Sequence, residues 1–211
     1  MFFSIIAHDL KSPFNALLGF SDLLLTEGDS FTESETKRMV RGIHESASGL
    51  FNLLQNLLEW TRTQTKRIEV NPVSFDLVPV ITRNMELVAP IAENKYTSLL
   101  FEDKGPLKVF ADPGMTDFVI RNLLSNALKY VNRGGNITIN VRHLNNKVLV
   151  SVKDNGVGIP DESKKKLFKI DGKVRTNGTE NEKGTGLGLI ICKEFLSLNN
   201  GKIWVESREG E

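Results

Sequence analysis

Several features are scarce in this sequence, and each scarcity excludes a class of protein. It contains one cysteine, Cys192, which excludes an internal disulfide and fits a reducing compartment. Its formal net charge is only +1, so charge gives no reason to expect nucleic acid or a membrane surface as a partner. No apolar run is long enough to cross a bilayer, and no signal peptide is evident. Composition therefore predicts a cytoplasmic, globular chain without nucleic-acid or membrane contact, while a membrane anchor elsewhere in a longer parent stays open.

Apolar residues at spacings of three and four predict two long helices at the start of the chain. The first series is Phe3, Ile6, Leu10, Pro13, Leu17, Phe20 and Leu24. After a break at Gly28–Ser30 and an acidic start at Thr32–Glu35, the second series is Ile43, Ala47, Leu50, Leu54 and Leu57. A single hairpin cannot cover apolar residues on both of its sides. Each apolar side chain left in water forgoes about 2 kcal/mol of stabilisation that burial would provide. We therefore expect an all-α hairpin over residues 1–68 that forms a dimeric four-helix bundle.

The periodicity changes after a linker predicted for residues 69–75. The predicted helices are about 76–94, 112–130 and 187–198. The predicted strands are about 98–102, 108–111, 136–144, 148–153 and 202–207. Helices and strands without regular βαβ order predict an α+β sandwich, with helices on one mixed sheet, over residues 76–211. Because the chain stops directly after the last predicted strand, we expect this domain to be C-terminally truncated.

His8 is the first candidate catalytic residue. With Phe3 at heptad position a, His8 takes position f, which faces solvent, and Asp9 takes position g. An imidazole held beside a carboxylate suits nucleophilic attack on phosphorus, with Asp9 accepting the ring proton or fixing the tautomer. Ser12 lies one turn further along the same face. An exposed surface histidine is the ordinary alternative, and it stays open on these residues alone.

Three polar stretches of the second domain are typical of a nucleotide site. Asn122, Asn126 and Lys129 share one helix face, where two amides and an ammonium can hold Mg²⁺ and triphosphate oxygens. The run Asp154–Pro160 offers an acid for the adenine amine, and glycines that permit close approach to the ring. The run Gly184–Leu189 opens a helix, whose N-terminus suits phosphate. Each stretch alone is weak evidence, because a solvated helix face, an Asn-Gly turn or an unrelated glycine loop would look the same.

In order and spacing, these motifs resemble the conserved boxes of the histidine kinase family. The matching stretches are the phosphoacceptor box at His8–Pro13, the Asn box at Asn122–Tyr130, the first glycine box at Asp154–Pro160, the Phe box at Phe168 and the second glycine box at Gly184–Leu189. The stretch Lys183–Trp204 is similar to forms found in hybrid sensor kinases of Bacteroides-like bacteria. The resemblance covers nearly the whole chain and implies a histidine kinase/gyrase/chaperone-type ATPase fold after the hairpin.

The resemblance also implies an activity and a set of residue roles. It implies ATP-dependent autophosphorylation of His8, assisted by Asp9, and phosphotransfer to an Asp of a response regulator receiver domain by a homodimer. It implies Mg²⁺ held mainly by Asn126, with support from Asn122. The other ATP-binding residues that it implies are Lys129, Tyr130, Asp154, Gly156, Gly158, Phe168, Gly184, Thr185, Gly186, Leu187 and Gly188.

Ser12 departs from the family pattern. Relatives that also dephosphorylate their regulator often carry Thr or Asn at this position. Serine keeps a hydroxyl group there, so phosphatase activity toward the regulator stays open.

Two other functions are weighed against the kinase. A non-catalytic dimerisation and signalling module would bind nucleotide without transferring phosphate, but intact His8, Asn126 and Asp154 argue against it. An ATPase of the gyrase and chaperone superfamily would share the nucleotide boxes, but it would not need the hairpin that carries His8.

Overall fold

The computed structural model describes residues 2–64, 69–102, 105–169, 177–180, 182, 184 and 186–210. Within the two N-terminal helices, the side chains of residues 2–9, 52, 59–60 and 62–64 lie outside this description. The chain divides into two compact units, Met1–Thr65 and Lys66–Glu211. No helix in the described part of the chain combines the length and apolar character that crossing a membrane requires.

The first unit is a helical hairpin. Its elements are α1 (Phe2–Glu27), a 3₁₀ turn (Gly28–Ser30) and α2 (Glu33–Gln64). A reciprocal capping box starts α2: the backbone N–H of Glu35 donates to Thr32 Oγ1 at 3.3 Å, and the backbone N–H and hydroxyl of Thr32 donate to the Glu35 carboxylate at 2.8 and 2.7 Å. These bonds, with the Thr32 backbone N–H first, lower the pKa of Glu35.

Two neighbouring apolar stripes on α2 have different environments. One stripe, Met39, Leu50 and Leu53, is buried within the hairpin. The second, which we call the exposed α2 stripe, keeps close to half or more of each side chain in solvent and consists of Val40, Phe51, Leu54 and Leu58. The sequence placed Leu50 and Leu54 on one seam. In the structure Leu50 is buried and Leu54 is 46% exposed, because residues four apart are offset by about 40° around the helix axis and the edge of the α1 contact falls between them.

The second unit contains, among its described residues, five strands and four helices. They are β1 (Val73–Asp76), α3 (Val78–Asn94), β2 (Ser98–Phe101), β3 (Lys108–Ala111), α4 (Pro113–Tyr130), β4 (Asn136–Leu144), β5 (Lys147–Asp154), α5 (Asp161–Lys164) and α6 (Gly188–Leu198). The start of α4 follows the predicted signal, since Asp112 Oδ1 accepts the Met115 backbone N–H at 3.0 Å and Pro113 is the first helical residue.

The strands form two sheets rather than the single mixed sheet that was predicted. In one sheet β4 is central, parallel to β2 and antiparallel to β5; in the other β1 pairs antiparallel with β3, with Val73 opposite Ala111. Residues 73–75, predicted as part of a linker, therefore belong to a strand. Residues 202–207, predicted as a strand, form no ladder with any described strand, although residues 203, 205 and 207 are half-buried and their neighbours exposed.

The core fixes which face of α4 is free. Ile81 of α3, Leu124 of α4 and Ile137 of β4 are fully buried in one cluster. On α6, Phe195 packs edge-to-face on Phe118 of α4, with ring centroids 5.1 Å apart. Cys192, also on α6, is fully buried, and this burial raises the pKa of its thiol to about 12. Because the apolar side of α4 is covered in this way, its polar side is directed away from the core.

Candidate functional site

The site starts from the polar side of α4, which carries three half-buried residues that we call the α4 stripe: Asn122, Asn126 and Lys129. The Asn122 amide nitrogen donates to the Phe118 carbonyl at 3.0 Å, so its amide oxygen is directed outward. The Asn126 amide makes no hydrogen bond within the part of the chain that the structure describes. Two amide oxygens on one helix face are therefore available to a ligand.

The end of α4 joins the stripe to the first glycine run. Lys129 Nζ donates to the Tyr130 hydroxyl at 3.0 Å and lies 4.7 Å from the centre of its ring. The Tyr130 carbonyl accepts the Val157 backbone N–H at 3.2 Å and lies where a side chain at Gly156 would be, so only glycine fits there. The Asp154 carboxylate, at the end of β5, accepts the Gly156 backbone N–H at 2.9 Å. These bonds hold Asp154 and Tyr130 beside each other.

The second glycine run lies along the same stripe. A Cβ added at Gly184 would be 2.6 Å from Lys129 Nζ, and one added at Gly188 would collide with the Asn122 amide oxygen. Leu187, directly before α6, is buried and fixes the start of that helix. The start of α6 is thereby placed against the α4 stripe, where its backbone N–H groups can meet phosphate.

The remaining predicted site residues divide into described and undescribed ones. Gly158 and Gly186 both have positive φ, and Phe168 is half-buried in the turn after α5. Ser12 is exposed on α1. His8 and Asp9 lie on the backbone of α1, but their side chains fall outside the described residues, as does the whole of Thr185.

A polar cluster beside the stripe was not predicted from the sequence. Lys95, at the end of α3, is buried, and its ammonium donates to the carbonyls of Leu128 and Lys129 and to the Glu182 carboxylate. Partial burial raises the pKa of Glu182, but hydrogen bonds from its own and the Glu180 backbone N–H and from Lys95 outweigh that effect, and the net shift is downward. A lysine within a polar stretch carries no pattern that would predict burial, so sequence reasoning could not single it out.

The donor set of the α4 stripe suits Mg²⁺ bound together with a triphosphate. Magnesium prefers oxygen ligands and is commonly held by a few protein groups plus substrate phosphates. Among the described residues, no group of three or more His, Cys, Asp or Glu side chains could hold a metal ion. Two amide oxygens are too few ligands to hold the ion alone, so the stripe fits an ion that is also bound by phosphate oxygens.

A polar helix stripe that faces two glycine runs defines a nucleotide-binding unit, here preceded by a helical hairpin. Comparison with known proteins agrees with both parts. The family model of the histidine kinase-, DNA gyrase B- and HSP90-like ATPase matches residues 111–211, and that of the His Kinase A (phospho-acceptor) domain matches residues 1–66.

Individual relatives agree with the family models. Sensor histidine kinase RcsC of Escherichia coli (strain K12) is 31% identical over 212 residues, which cover 100% of this chain and 22% of that protein. The catalytic domain of histidine kinase ThkA is 34% identical, covers 66% of this chain and 90% of that one, and has a TM-score of 0.58. ThkA in complex with response regulator protein TrrA is 27% identical, covers 97% of this chain and 57% of that one, and has a TM-score of 0.73.

The chain belongs to the histidine kinase family and corresponds to the catalytic core of sensor histidine kinases, a phospho-acceptor region followed by an ATPase-type domain. This confirms the predicted family and fold class. The chain spans about a fifth of the length of RcsC. The similarity of Lys183–Trp204 to hybrid kinases of Bacteroides-like bacteria stays a prediction.

Proposed function

We propose that this chain transfers the γ-phosphoryl group of ATP to His8 and then to an Asp of a response regulator receiver domain. One observation carries the proposal. The second glycine run lies against the α4 stripe at both of its ends, with Gly184 beside the Lys129 ammonium and Gly188 beside the Asn122 amide oxygen. An amide oxygen, an ammonium and the start of α6 therefore lie next to one another along the α4 stripe, and this set of groups suits a triphosphate with its metal.

The first glycine run supplies the other end of a nucleotide site. We assign Asp154 to the adenine amine and Tyr130 to the flank of the ring, because the Tyr130 carbonyl and the Asp154 carboxylate both bind the loop that starts at Gly156. Lys129 would hold phosphate oxygens. Asn126, with Asn122, would hold Mg²⁺, which when bound neutralises charge on the phosphate oxygens.

The transfer itself exchanges one bond to phosphorus for another. A ring nitrogen of His8 attacks the γ-phosphorus, an N–P bond forms, and the bond to the bridging oxygen breaks, with ADP leaving as the electron pair moves onto that oxygen. Asp9 accepts the ring proton or holds the tautomer that attacks. The regulator carboxylate then attacks the same phosphorus and restores His8. Ser12, exposed on α1, keeps a hydroxyl group, so hydrolysis of the regulator's aspartyl phosphate by the same chain stays open.

We also propose that the hairpin dimerises through the exposed α2 stripe. Phe51 and Leu58 are 61% and 58% exposed within the hairpin, which is more apolar surface than a solvated helix normally presents. A second copy would cover this surface and complete a four-helix bundle.

Labelling with γ-labelled ATP tests the central proposal. The parent chain should acquire an acid-labile, base-stable label, and His8→Ala should abolish it while nucleotide affinity stays within about twofold, because acceptor and nucleotide belong to different units. His44→Ala, which changes an exposed histidine of α2, is the matched control and should label normally.

Other results of the labelling experiment would contradict the proposal or favour one of the two alternative functions. A label retained by His8→Ala would contradict the assignment of the acceptor. Nucleotide binding without a label in the parent chain would favour the non-catalytic module, and release of inorganic phosphate without a label would favour a gyrase-like ATPase.

A further inference from the structure

Lys95 is the one buried charged side chain among the described residues, with 2% of its surface exposed. An ammonium removed from water is costly unless each of its donors finds an acceptor. Here Nζ lies 2.7 Å from the Leu128 carbonyl, 3.4 Å from the Lys129 carbonyl and 3.0 Å from Glu182 Oε1, so all three donors are satisfied. So complete a set of partners indicates that the ammonium is held in one position.

The partners of Lys95 belong to two parts of the nucleotide site. The Leu128 and Lys129 carbonyls lie in the last turn of α4, the negative end of the helix that carries the α4 stripe. Glu182 precedes Gly184 by two residues in the sequence. One buried ammonium thus joins the end of α4 to the segment that leads into the second glycine run. We call Lys95, Glu182 and these two carbonyls the clasp.

Further contacts bind the segment around Glu182 to the end of α4. The Thr179 backbone N–H donates to the Lys129 carbonyl at 3.0 Å, and its hydroxyl donates to the Val131 carbonyl at 2.7 Å. The Gly178 backbone N–H donates to the Glu182 carbonyl at 2.9 Å, and a Cβ at Gly178 would be 2.6 Å from Lys129 Cγ. These contacts leave no gap between the described part of segment 177–182 and the end of α4.

A second ion pair on the same segment provides a contrast. Arg133 and Glu180 are 3.3 Å apart, but their side chains are 59% and 47% exposed. Water and salt screen such a pair, so it contributes little. The segment therefore has one buried charge contact that can hold it in place and one solvated contact that cannot.

We propose that Lys95 is a positioning residue that sets the affinity for the triphosphate part of ATP through the clasp. This inference rests on the proposed function and deepens it. Without the clasp, the segment before Gly184 would be ordered only when phosphate binds, and the entropy of ordering it would oppose binding. The adenine end is held differently, through Asp154, Gly156 and the Tyr130 carbonyl, so affinity for adenosine should not depend on Lys95.

The test compares two carboxylates of the same segment. Glu182→Gln removes the charge that faces Lys95, and Glu180→Gln, its matched control, removes the charge of the solvated pair. For Glu182→Gln we expect binding of a non-hydrolysable ATP analogue with Mg²⁺, measured by calorimetry, to weaken about tenfold, which corresponds to about 1.4 kcal/mol. Adenosine affinity, measured by NMR titration, should change less than about twofold, and Glu180→Gln should change neither affinity beyond that range.

Lys95→Met provides a second measurement on folded protein. It should weaken triphosphate binding at least as much, and adding Glu182→Gln to it should cause no further loss, because both changes remove one contact. If Glu182→Gln binds the triphosphate like the parent, or loses adenosine and triphosphate affinity in equal proportion, the clasp does not position the phosphate site. A parent chain that binds no nucleotide at all would instead contradict the proposed function before any variant is compared.

Discussion

At the residue scale, the two asparagines of the α4 stripe differ in which of their side-chain amide atoms are already hydrogen-bonded within the chain. Asn122 uses its amide nitrogen within the helix, whereas Asn126 has no hydrogen-bond partner among the described residues. The Asn126 amide is half-buried and open to solvent, so both of its polar atoms can hydrogen-bond to water or to a ligand. This difference is consistent with the proposal that Asn126 is the main Mg²⁺ ligand and that Asn122 supports it.

The corresponding prediction is that Asn126→Ala weakens Mg-ATP binding by at least tenfold, because it removes a metal ligand that only the metal complex uses. Adenosine binding should stay within about twofold. Ser125→Ala, an exposed neighbour on the same helix, is the control and should bind like the parent. Calorimetric titration with and without Mg²⁺ measures the difference, and an unchanged affinity for Mg-ATP would remove Asn126 from the metal site.

Local chemistry explains which residues the sequence could assign. Asp112 caps α4 as predicted, because a cap involves residues only three apart. The pairing of Lys95 with Glu182 joins residues 87 positions apart, and no local pattern encodes it. Gly156 and Gly188 were predicted from their motifs, but the reason that they must be glycine, the neighbouring Tyr130 carbonyl and Asn122 oxygen, appears only in three dimensions.

At the element scale, the capping box of α2 makes the stability of the hairpin depend on pH. The pKa of Glu35 is lower in the folded chain than in the unfolded chain, so its ionised form stabilises the helix above the unfolded pKa, and this contribution is lost as pH falls through the folded pKa. Glu35→Gln should therefore be less stable than the parent near neutral pH, and the two should converge in acid.

Thermal unfolding followed by far-UV circular dichroism, over a pH series from neutral to acid, measures this difference. Glu45→Gln, which changes an exposed glutamate within the same helix, serves as the control. A constant gap between Glu35→Gln and the parent across the series would show that the carboxylate does not act through its charge.

Two glycines of α2 should respond in opposite ways to alanine. At Gly49 no atom lies within 4 Å of an added Cβ, so Gly49→Ala should raise the free energy of unfolding by about 0.5–1 kcal/mol through helix propensity. At Gly42 the Cβ would be 2.5 Å from the Phe20 ring of α1, so Gly42→Ala should lower it, by about 1–3 kcal/mol. Chemical denaturation of both variants checks this, and equal stabilisation would mean that Phe20 moves aside freely.

Element pairing accounts for the main errors of the sequence analysis. The predicted linker, residues 69–75, includes the first three residues of β1, whose partner β3 follows only after α3 and β2. Residues 202–207 alternate as a strand does, yet alternation describes only how side chains face, and a strand also needs a neighbour for its hydrogen bonds. The long periodic helices were predicted well, since their signal repeats over many turns.

At the scale of the whole molecule, the two stripes of α2 separate the inside of the hairpin from its outer surface. Phe51→Glu combined with Leu54→Glu places two charges on the exposed α2 stripe, so we expect monomers with intact helices, because an unpaired buried charge costs several kcal/mol. Leu50→Glu combined with Leu53→Glu changes the buried stripe and should instead unfold the hairpin. Sedimentation and circular dichroism distinguish these results, and a dimer that survives the first pair of changes would place the interface elsewhere.

The burial of Cys192 also determines how this molecule can be studied. Its thiol is inaccessible, and a pKa of about 12 leaves almost no thiolate at neutral pH. We therefore expect maleimides and thiol-reactive spin labels not to react with Cys192. Cys192 therefore does not have to be replaced before a cysteine is introduced elsewhere for labelling. One cysteine introduced at an exposed position of each unit, such as Ser34 and Ser151, would accept a dye or a spin label selectively and report the distance between hairpin and nucleotide unit through a catalytic cycle.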